Sequence, residues 1–361
     1  VAKVLFILKR REDYGQDNSY SETGISTGLL NSATFVKDML NKNGISSELV
    51  IVIDNNDIDR EVTIHEPTHV IIEAVWVVPE KFEILRRLYP NVKWIIRYHS
   101  ETPFIANEGI ALKWFYDYVK QHNVYVSANS KRFMHDLRIM MQSTGASCEM
   151  ISNKLIYLPN YYPVEEIHTK RKTNKPTIDI GCFGAIRPLK NHLNQAVAAL
   201  QYANRIGKKL NFHINIGRTE MKGDSILNNL KNLFSNTTNY GHNLITHQWS
   251  KHSVFVNMIK STIDVGMQVS FTETFNIVAA DMVTAGVPIV TSNEIPWAIV
   301  GNAYPTSTDS MVSSLFWAHN FPKFNVMLNS MSLKRYGKHS EFQWLSFFQK
   351  ELVGINSELN T

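Results

Sequence analysis

The chain has 361 residues, 44% of them hydrophobic and 19% charged, a composition that excludes a disordered or fibrous protein. That length is comfortable for two domains. The formal net charge of +5 comes from scattered basic residues. It suits a phosphorylated ligand, an anionic surface or nucleic acid, without the Lys/Arg block of an interaction tail.

In chain order, Val4 to Leu8 is a short apolar run of the kind buried in a parallel sheet. It is too short for a signal h-region or a membrane span, and no later run reaches that length. A polar, glycine-bearing loop from Lys9 to Gly28 leads into a helix ending near Leu40. Strands are expected at Glu48 to Asp54, His69 to Val75, Val92 to Tyr98 and Val124 to Ala128. Helices are expected around Glu80 to Leu88, Leu112 to Gln121 and Ser130 to Met141, with Ser130 as an N-cap. From Tyr157 to Pro176, three prolines and a basic polar cluster read as a linker. Alternation restarts with strands at Thr177 to Phe183, Leu210 to Ile216, Asn243 to His247, Ile263 to Val269 and Val287 to Thr291. The helices between them are Leu193 to Ile206, Ser225 to Phe234, Val254 to Lys260 and Phe275 to Ala285. A last helix covers Ser332 to Leu352. The pattern predicts an α/β fold of two Rossmann-like domains facing across a cleft. The expected boundaries are 1–160, 161–331 and a C-terminal helix at 332–361 packing back toward the first domain. The two cysteines, Cys148 and Cys182, form no zinc spacing and point to a reducing compartment; the expected setting is cytoplasmic, for a soluble protein with peripheral attachment to a membrane left open. Cys182 falls in an apolar run, which reads as a buried thiol.

The segment Ser270 to Ser292 (SFTETFNIVAADMVTAGVPIVTS) carries the chemistry. An apolar strand ends at Val269, a polar loop follows, and a helix begins near Phe275. Its N-terminal N–H groups and positive dipole end make an anion site. Glu273 precedes the helix and Asp281 lies inside it, on the order of 10–12 Å further along the axis. That span suits a nucleoside diphosphate sugar, with one carboxylate on sugar hydroxyls and the other on ribose. Ala285-Gly286-Val287-Pro288 stops the helix and leads into another strand.

The acid, aromatic, second acid and Gly-x-Pro turn of Glu273 to Val290 resemble the signature of retaining GT-B glycosyltransferases, especially family 4. The resemblance implies that Glu273 contacts the donor sugar and Asp281 the ribose, with Phe275, Asn276 and Ile277 at the helix start. Asp281 replaces the usual Glu and Asn276 the common Gly. A second match is GAIRPLKNH after the strand at Thr177. There Gly184 opens the loop, and Arg187 and Lys190 would neutralise the leaving diphosphate. Gly217 and Arg218 follow the next strand, and the base is expected near His247 to Trp249. In the first domain, Gly24 and Gly28 lie on the first strand-to-helix turn. His99, beside Glu101, stands where the family often carries a His near the donor sugar.

The resemblance implies retention by front-face substitution, a UDP-, GDP- or ADP-sugar as substrate, and no required cofactor. The expected acceptor is a hydroxyl on a glycan, a lipid-linked saccharide or a small molecule. A hydroxymethylated DNA base is a second candidate acceptor. The two-domain pattern also admits a sugar-nucleotide epimerase, a phosphorylase, or a non-catalytic nucleotide-sugar or glycan-binding protein. Asp57-Ile58-Asp59 is formally a DxD motif; it reads as a solvated acidic loop, and no metal site is assigned.

Overall fold

A computed structural model describes residues 2–10, 27–164 and 175–358, with side chains through 349. These fall into two compact units: residues up to Tyr162 with those from Tyr336 onward, and Pro163–Arg335.

The first unit is a six-stranded sheet of order β2-β1-β3-β4-β5-β6, parallel throughout. Its strands are β1 (Lys3–Lys9), β2 (Ser46–Val52), β3 (His69–Glu73), β4 (Lys93–Tyr98), β5 (Val124–Ala128) and β6 (Leu155–Tyr157). The helices are α1 (Thr27–Lys42), α2 (Ile58–His65), α3 (Lys81–Leu88), α4 (Thr102–Ile105), α5 (Ala111–Val119), α6 (Lys131–Gln142) and α7 (Cys148–Lys154). The apolar strand runs follow from burial on both faces. Leu5, Ile7, Val70, Ile72, Trp94 and Ile96 join one core cluster. Their alternating neighbours Val4, Phe6, Leu8, Ile71 and Ile95 join the other.

The second unit is a five-stranded parallel sheet of order β11-β10-β7-β8-β9. Its strands are β7 (Thr177–Gly181), β8 (Lys209–Asn215), β9 (Asn243–His247), β10 (Val265–Gln268) and β11 (Ile289–Thr291). Its helices are α8 (His192–Arg205), α9 (Gly223–Ser235), α10 (His252–Thr262), α11 (Ile277–Thr284) and α12 (Thr308–Asn320). The last helix, α13 (Pro322–Glu358), begins in the second unit, and its residues from Tyr336 belong to the first, where Trp344 and Phe348 join the core.

Several elements differ from the sequence reading. The acidic stretch at Asp57 is the start of α2 rather than a loop. Asp57 accepts from the Ile53 N–H (2.9 Å), and Asp59 accepts from Lys81 Nζ (2.8 Å). Helix α12 is absent from the sequence reading because apolar side chains lie on both its buried and its exposed sides, which blurs the helical period. Helix α13 begins ten residues before the expected Ser332, at Pro322. Proline fits a helix start because its missing N–H lacks an intrahelical partner there anyway. Tyr157 to Tyr162 is part of the first unit, and the Leu158 N–H extends the sheet to the Ala128 carbonyl (3.0 Å). Cys182 is buried, and burial pushes its thiol up to about 12. Gly24 lies outside the described residues. Gly28 lies on α1 rather than in a turn before it.

Candidate active site

In the second unit the strand order reverses between β7 and β10, the place where open α/β sheets hold ligands at the carboxyl ends of their strands. The loops after these two strands are tied together. The Phe271 N–H donates to the Leu189 carbonyl (2.9 Å), and Asn191 Nδ2 donates to the Val269 carbonyl (3.0 Å). Gly184, at φ 117°, opens the first loop in a conformation that requires glycine, and its N–H donates to Asn215 Oδ1 (3.0 Å). A single 3-10 turn, Pro188–Lys190, then brings the Lys190 ammonium onto Glu273 Oε1.

Asn276 holds the other side of this pair. Its backbone is left-handed (φ 63°), a conformation that Asn tolerates better than most residues, which accounts for Asn where glycine is common. Its Oδ1 caps α11 by accepting from the Ala279 N–H (2.9 Å). Its Nδ2 donates to Glu273 Oε1 (3.0 Å) and to Gln268 Oε1 (2.9 Å). Asn276→Ala is expected to cost about 1 kcal/mol for the lost cap and a further ~1–2 kcal/mol for alanine in the left-handed region. Asn276→Gly should cost much less while also releasing Glu273. Urea unfolding of the two variants measures the difference.

The helix begins at Ile277, so Glu273 lies in the loop and the helical rise does not set its separation from Asp281. Asp281 is buried, and His252 Nε2, at the start of α10, donates to its Oδ1 (2.7 Å). That hydrogen bond raises the His252 pKa, against the opposing effect of burial. Arg187 and Arg218 meet on one acid: Arg187 Nη1 donates to Glu220 Oε2 (3.1 Å) and Arg218 Nε to Glu220 Oε1 (2.8 Å). The Arg218 guanidinium lies 5.7 Å from the centre of the Trp249 ring. Gly217, at φ 85°, makes the turn that leads to Arg218. Phe275 is a core residue, its ring 6.0 Å from that of Trp297 and its carbonyl accepting from Trp297 Nε1 (2.8 Å). Ile277 is half-buried.

His247 ends β9 and begins a polar chain across three strands. With both rings neutral, His247 Nε2 donates to His213 Nδ1 (2.8 Å), and His213 Nε2 donates to Asp179 Oδ1 (2.9 Å). Burial, and then the neighbouring His213, lower the His247 pKa. Burial raises that of Asp179, but hydrogen bonds from His213, Lys175 and Asn211 outweigh it and hold the carboxyl well below its usual range.

Buried polar atoms after β7, β9 and β10 with no hydrogen-bond partner among the described residues include Ser270 Oγ, Thr272 Oγ1, Trp249 Nε1 and both ring nitrogens of His192. Such atoms are rare, and their gathering at this end of the sheet marks a place where a polar ligand would be satisfied. The His192 pKa is pushed down to about 3 by burial and then by the charges of Lys190 and Arg187.

The first unit has a polar centre of its own. His99 directly follows β4, and its Nε2 donates to Glu73 Oε2 at the end of β3. Arg97 Nη1 donates to Glu73 Oε1 (3.1 Å), and Arg97 Nη2 to Asn160 Oδ1 (2.8 Å). Asn129 Nδ2 lies 3.4 Å from His99 Nδ1. Burial raises the Glu73 pKa, but the Arg97 charge and then His99 hold the carboxyl below its ordinary range. Burial and the Arg97 charge lower that of His99, which favours a neutral ring with its proton on Nε2. Glu101, buried at 5%, accepts from Arg132 Nη2 (3.3 Å).

Glu220, His252, Glu73 and Asn129 escaped the sequence reading. Glu220 stands 33 residues from Arg187, His252 29 from Asp281, and Glu73 and Asn129 26 and 30 from His99, and no local motif marks any of them. Among the described residues, no cluster of three or more His, Cys, Asp or Glu side chains could hold a metal ion, and no helix is long and apolar enough to cross a membrane.

No protein-family model and no curated protein sequence matches the chain. Solved structures do match it. A sucrose-phosphate synthase from Thermosynechococcus elongatus aligns with a TM-score of 0.68 at 11% identity, covering 98% of this chain and 100% of that one. A trehalose-6-phosphate synthase aligns at 0.67 and 11%, covering 97% and 99%. An α,α-trehalose-6-phosphate synthase from Burkholderia multivorans aligns at 0.64 and 10%, covering 99% and 98%. At such identities the likeness is one of fold: the chain has the two parallel α/β sheets of GT-B glycosyltransferase structures, and the match singles out no one family among them.

Proposed function

We propose that this protein is a glycosyltransferase that moves a sugar from a nucleoside-diphosphate sugar to a hydroxyl acceptor with retention of anomeric configuration. The observation that carries the reading is the Lys190–Glu273 contact at the β7/β10 reversal, clamped by Asn276 at the start of α11. In this reading the diphosphate lies at the α11 N-terminus. Lys190, with Arg187 and Arg218, stabilises the negative charge that develops as the sugar–phosphate bond breaks. Glu273 accepts hydrogen bonds from donor-sugar hydroxyls, and Asp281, held by His252, accepts from ribose. The departing phosphate oxygen takes the acceptor proton on the same face, so no protein nucleophile and no cofactor is needed.

UDP is the first choice of nucleotide, because two of the matching structures are UDP-forming trehalose-phosphate synthases. A study of one match, a trehalose-6-phosphate synthase, concerns glycosyl transfer with retention. The enzymes named in the matches make sugar phosphates, which favours a sugar or sugar phosphate as the acceptor. The test is a thermal-shift panel of UDP-, GDP- and ADP-sugars, followed by assay of nucleoside diphosphate release. At a hundredfold excess over Kd, a binding donor adds ~2.7 kcal/mol to the stability of the folded state. A shift of several degrees with one nucleotide, accompanied by turnover, is expected. Absence of any shift sinks the reading, and a shift without turnover makes the protein a binding module.

A further inference from the structure

Helices α12 and α13 meet at Phe321 and Pro322. Along them Trp317, Phe321, Phe324, Met327 and Met331 recur at spacings of three or four and all face solvent, with Trp317 at 61%, Phe324 at 55% and Met331 at 60% exposure. Trp317 stacks on Phe321, with ring centres 4.9 Å apart. Beside them an apolar groove of about 530 Å³ runs past Gly301, Ala318 and Asn325. Polar groups along the groove are already engaged: Asn325 exchanges hydrogen bonds with the Ile289 backbone (2.9 and 3.0 Å), and Ser314 Oγ donates to the Asn302 carbonyl (2.7 Å). The stripe runs on into Lys334 and Arg335, and Lys323 lies beside Phe324, all three exposed. No Asp or Glu occurs from 310 to 340, nor in α8, which packs against α12.

We propose that this face docks on the surface of an anionic lipid bilayer. Trp, Phe and Met side chains on the exposed face of a helix pair enter the boundary between headgroups and acyl chains, and the flanking cations meet the anionic headgroups. The groove offers an acyl chain a wall with little hydrogen-bonding capacity to leave unsatisfied. A second copy of the chain fits less well, because a two-fold contact would set this cationic face against itself. The inference is independent of donor chemistry, since vesicle binding and donor binding are separate measurements.

The test is co-sedimentation of the full chain with vesicles of phosphatidylcholine alone, and of phosphatidylcholine containing about one part in three phosphatidylglycerol. Binding to the anionic vesicles, weakened by salt and accompanied by a blue shift of tryptophan fluorescence, is expected. Trp317→Ser/Phe324→Ser and Lys334→Glu/Arg335→Glu should each reduce partitioning by about tenfold or more while leaving the far-ultraviolet spectrum unchanged. Equal partitioning of the variants, or no binding to anionic vesicles, overturns the proposal. So does a lipid-free dimer in sedimentation velocity that Trp317→Ser/Phe324→Ser dissolves, since the occupant would then be a second copy.

Discussion

Lys190→Ala is expected to slow nucleoside diphosphate release by about 10²–10³ while the protein stays folded and still binds donor. That loss corresponds to about 3–4 kcal/mol of transition-state stabilisation. The expectation follows from where the cation stands. Lys190 is held by a 3-10 turn whose loop is bonded to the loop after β10, so in the proposed reaction its charge is already in place when the sugar–phosphate bond breaks. Preorganised charge of this kind acts where negative charge develops, so kcat should fall more than donor affinity.

A purely structural role for the Lys190–Glu273 pair makes a different forecast. Both side chains are largely buried, at 13% and 8% exposure, so removing one partner would then cost stability and leave the rate per folded molecule unchanged. Glu273→Gln separates the two cases further. The amide keeps the shape of the carboxylate and a hydrogen bond to Asn276, but loses the charge that faces Lys190. With both residues in one site, Lys190→Ala/Glu273→Gln should lose much less than the product of the two single losses. A Lys190→Ala protein that turns over at the wild-type rate overturns the assignment.

The sheets could be read from the sequence because burial on both faces writes strands as unbroken apolar runs. Lys190 and Glu273 could be singled out because each closely follows such a run. What could not be read was the set of partners. Glu220 sits between Arg187 and Arg218, and His252 caps the carboxylate of Asp281, only because the parallel sheet brings the ends of separate strands together. Asn276 looked like a departure from the family pattern. Its left-handed backbone and its two side-chain roles show why Asn can stand at that position. Helix α12 went unread for the opposite reason: Phe316 and Trp317 are apolar but exposed, and an outward apolar residue erases the period that marks a helix.

Glu73→Ala is expected to destabilise the first unit by about 3–5 kcal/mol at neutral pH, the range for breaking a buried ion pair from one side. Both partners are fully buried, and a guanidinium cannot relieve the loss by giving up its proton. Arg97 would retain the carbonyls of Leu158 and Pro159, Asn160 Oδ1, and the Trp344 ring at 5.1 Å, but no counter-charge from Glu73. Glu73→Gln should cost less, since its amide oxygen still accepts from Arg97. Replacing the pair by Glu73→Met/Arg97→Met should recover much of the loss. The pH dependence gives an independent check. The Glu73 pKa is lowered from its ordinary 4.5, so its stabilisation is complete above that value and is lost as pH falls toward the folded pKa. The His99 pKa is lowered from 6.5, so the unfolded chain takes up its proton first and stability falls in the same direction below 6.5. Glu73 holds the His99 pKa up against burial, so the gap between wild type and Glu73→Ala should not narrow through the histidine range; it should narrow only as pH falls below 4.5 and the Glu73 carboxylate is lost, as followed by urea titrations of the first unit's transition. A gap independent of pH would mean that the Glu73 charge is not what holds Arg97 and His99 in place.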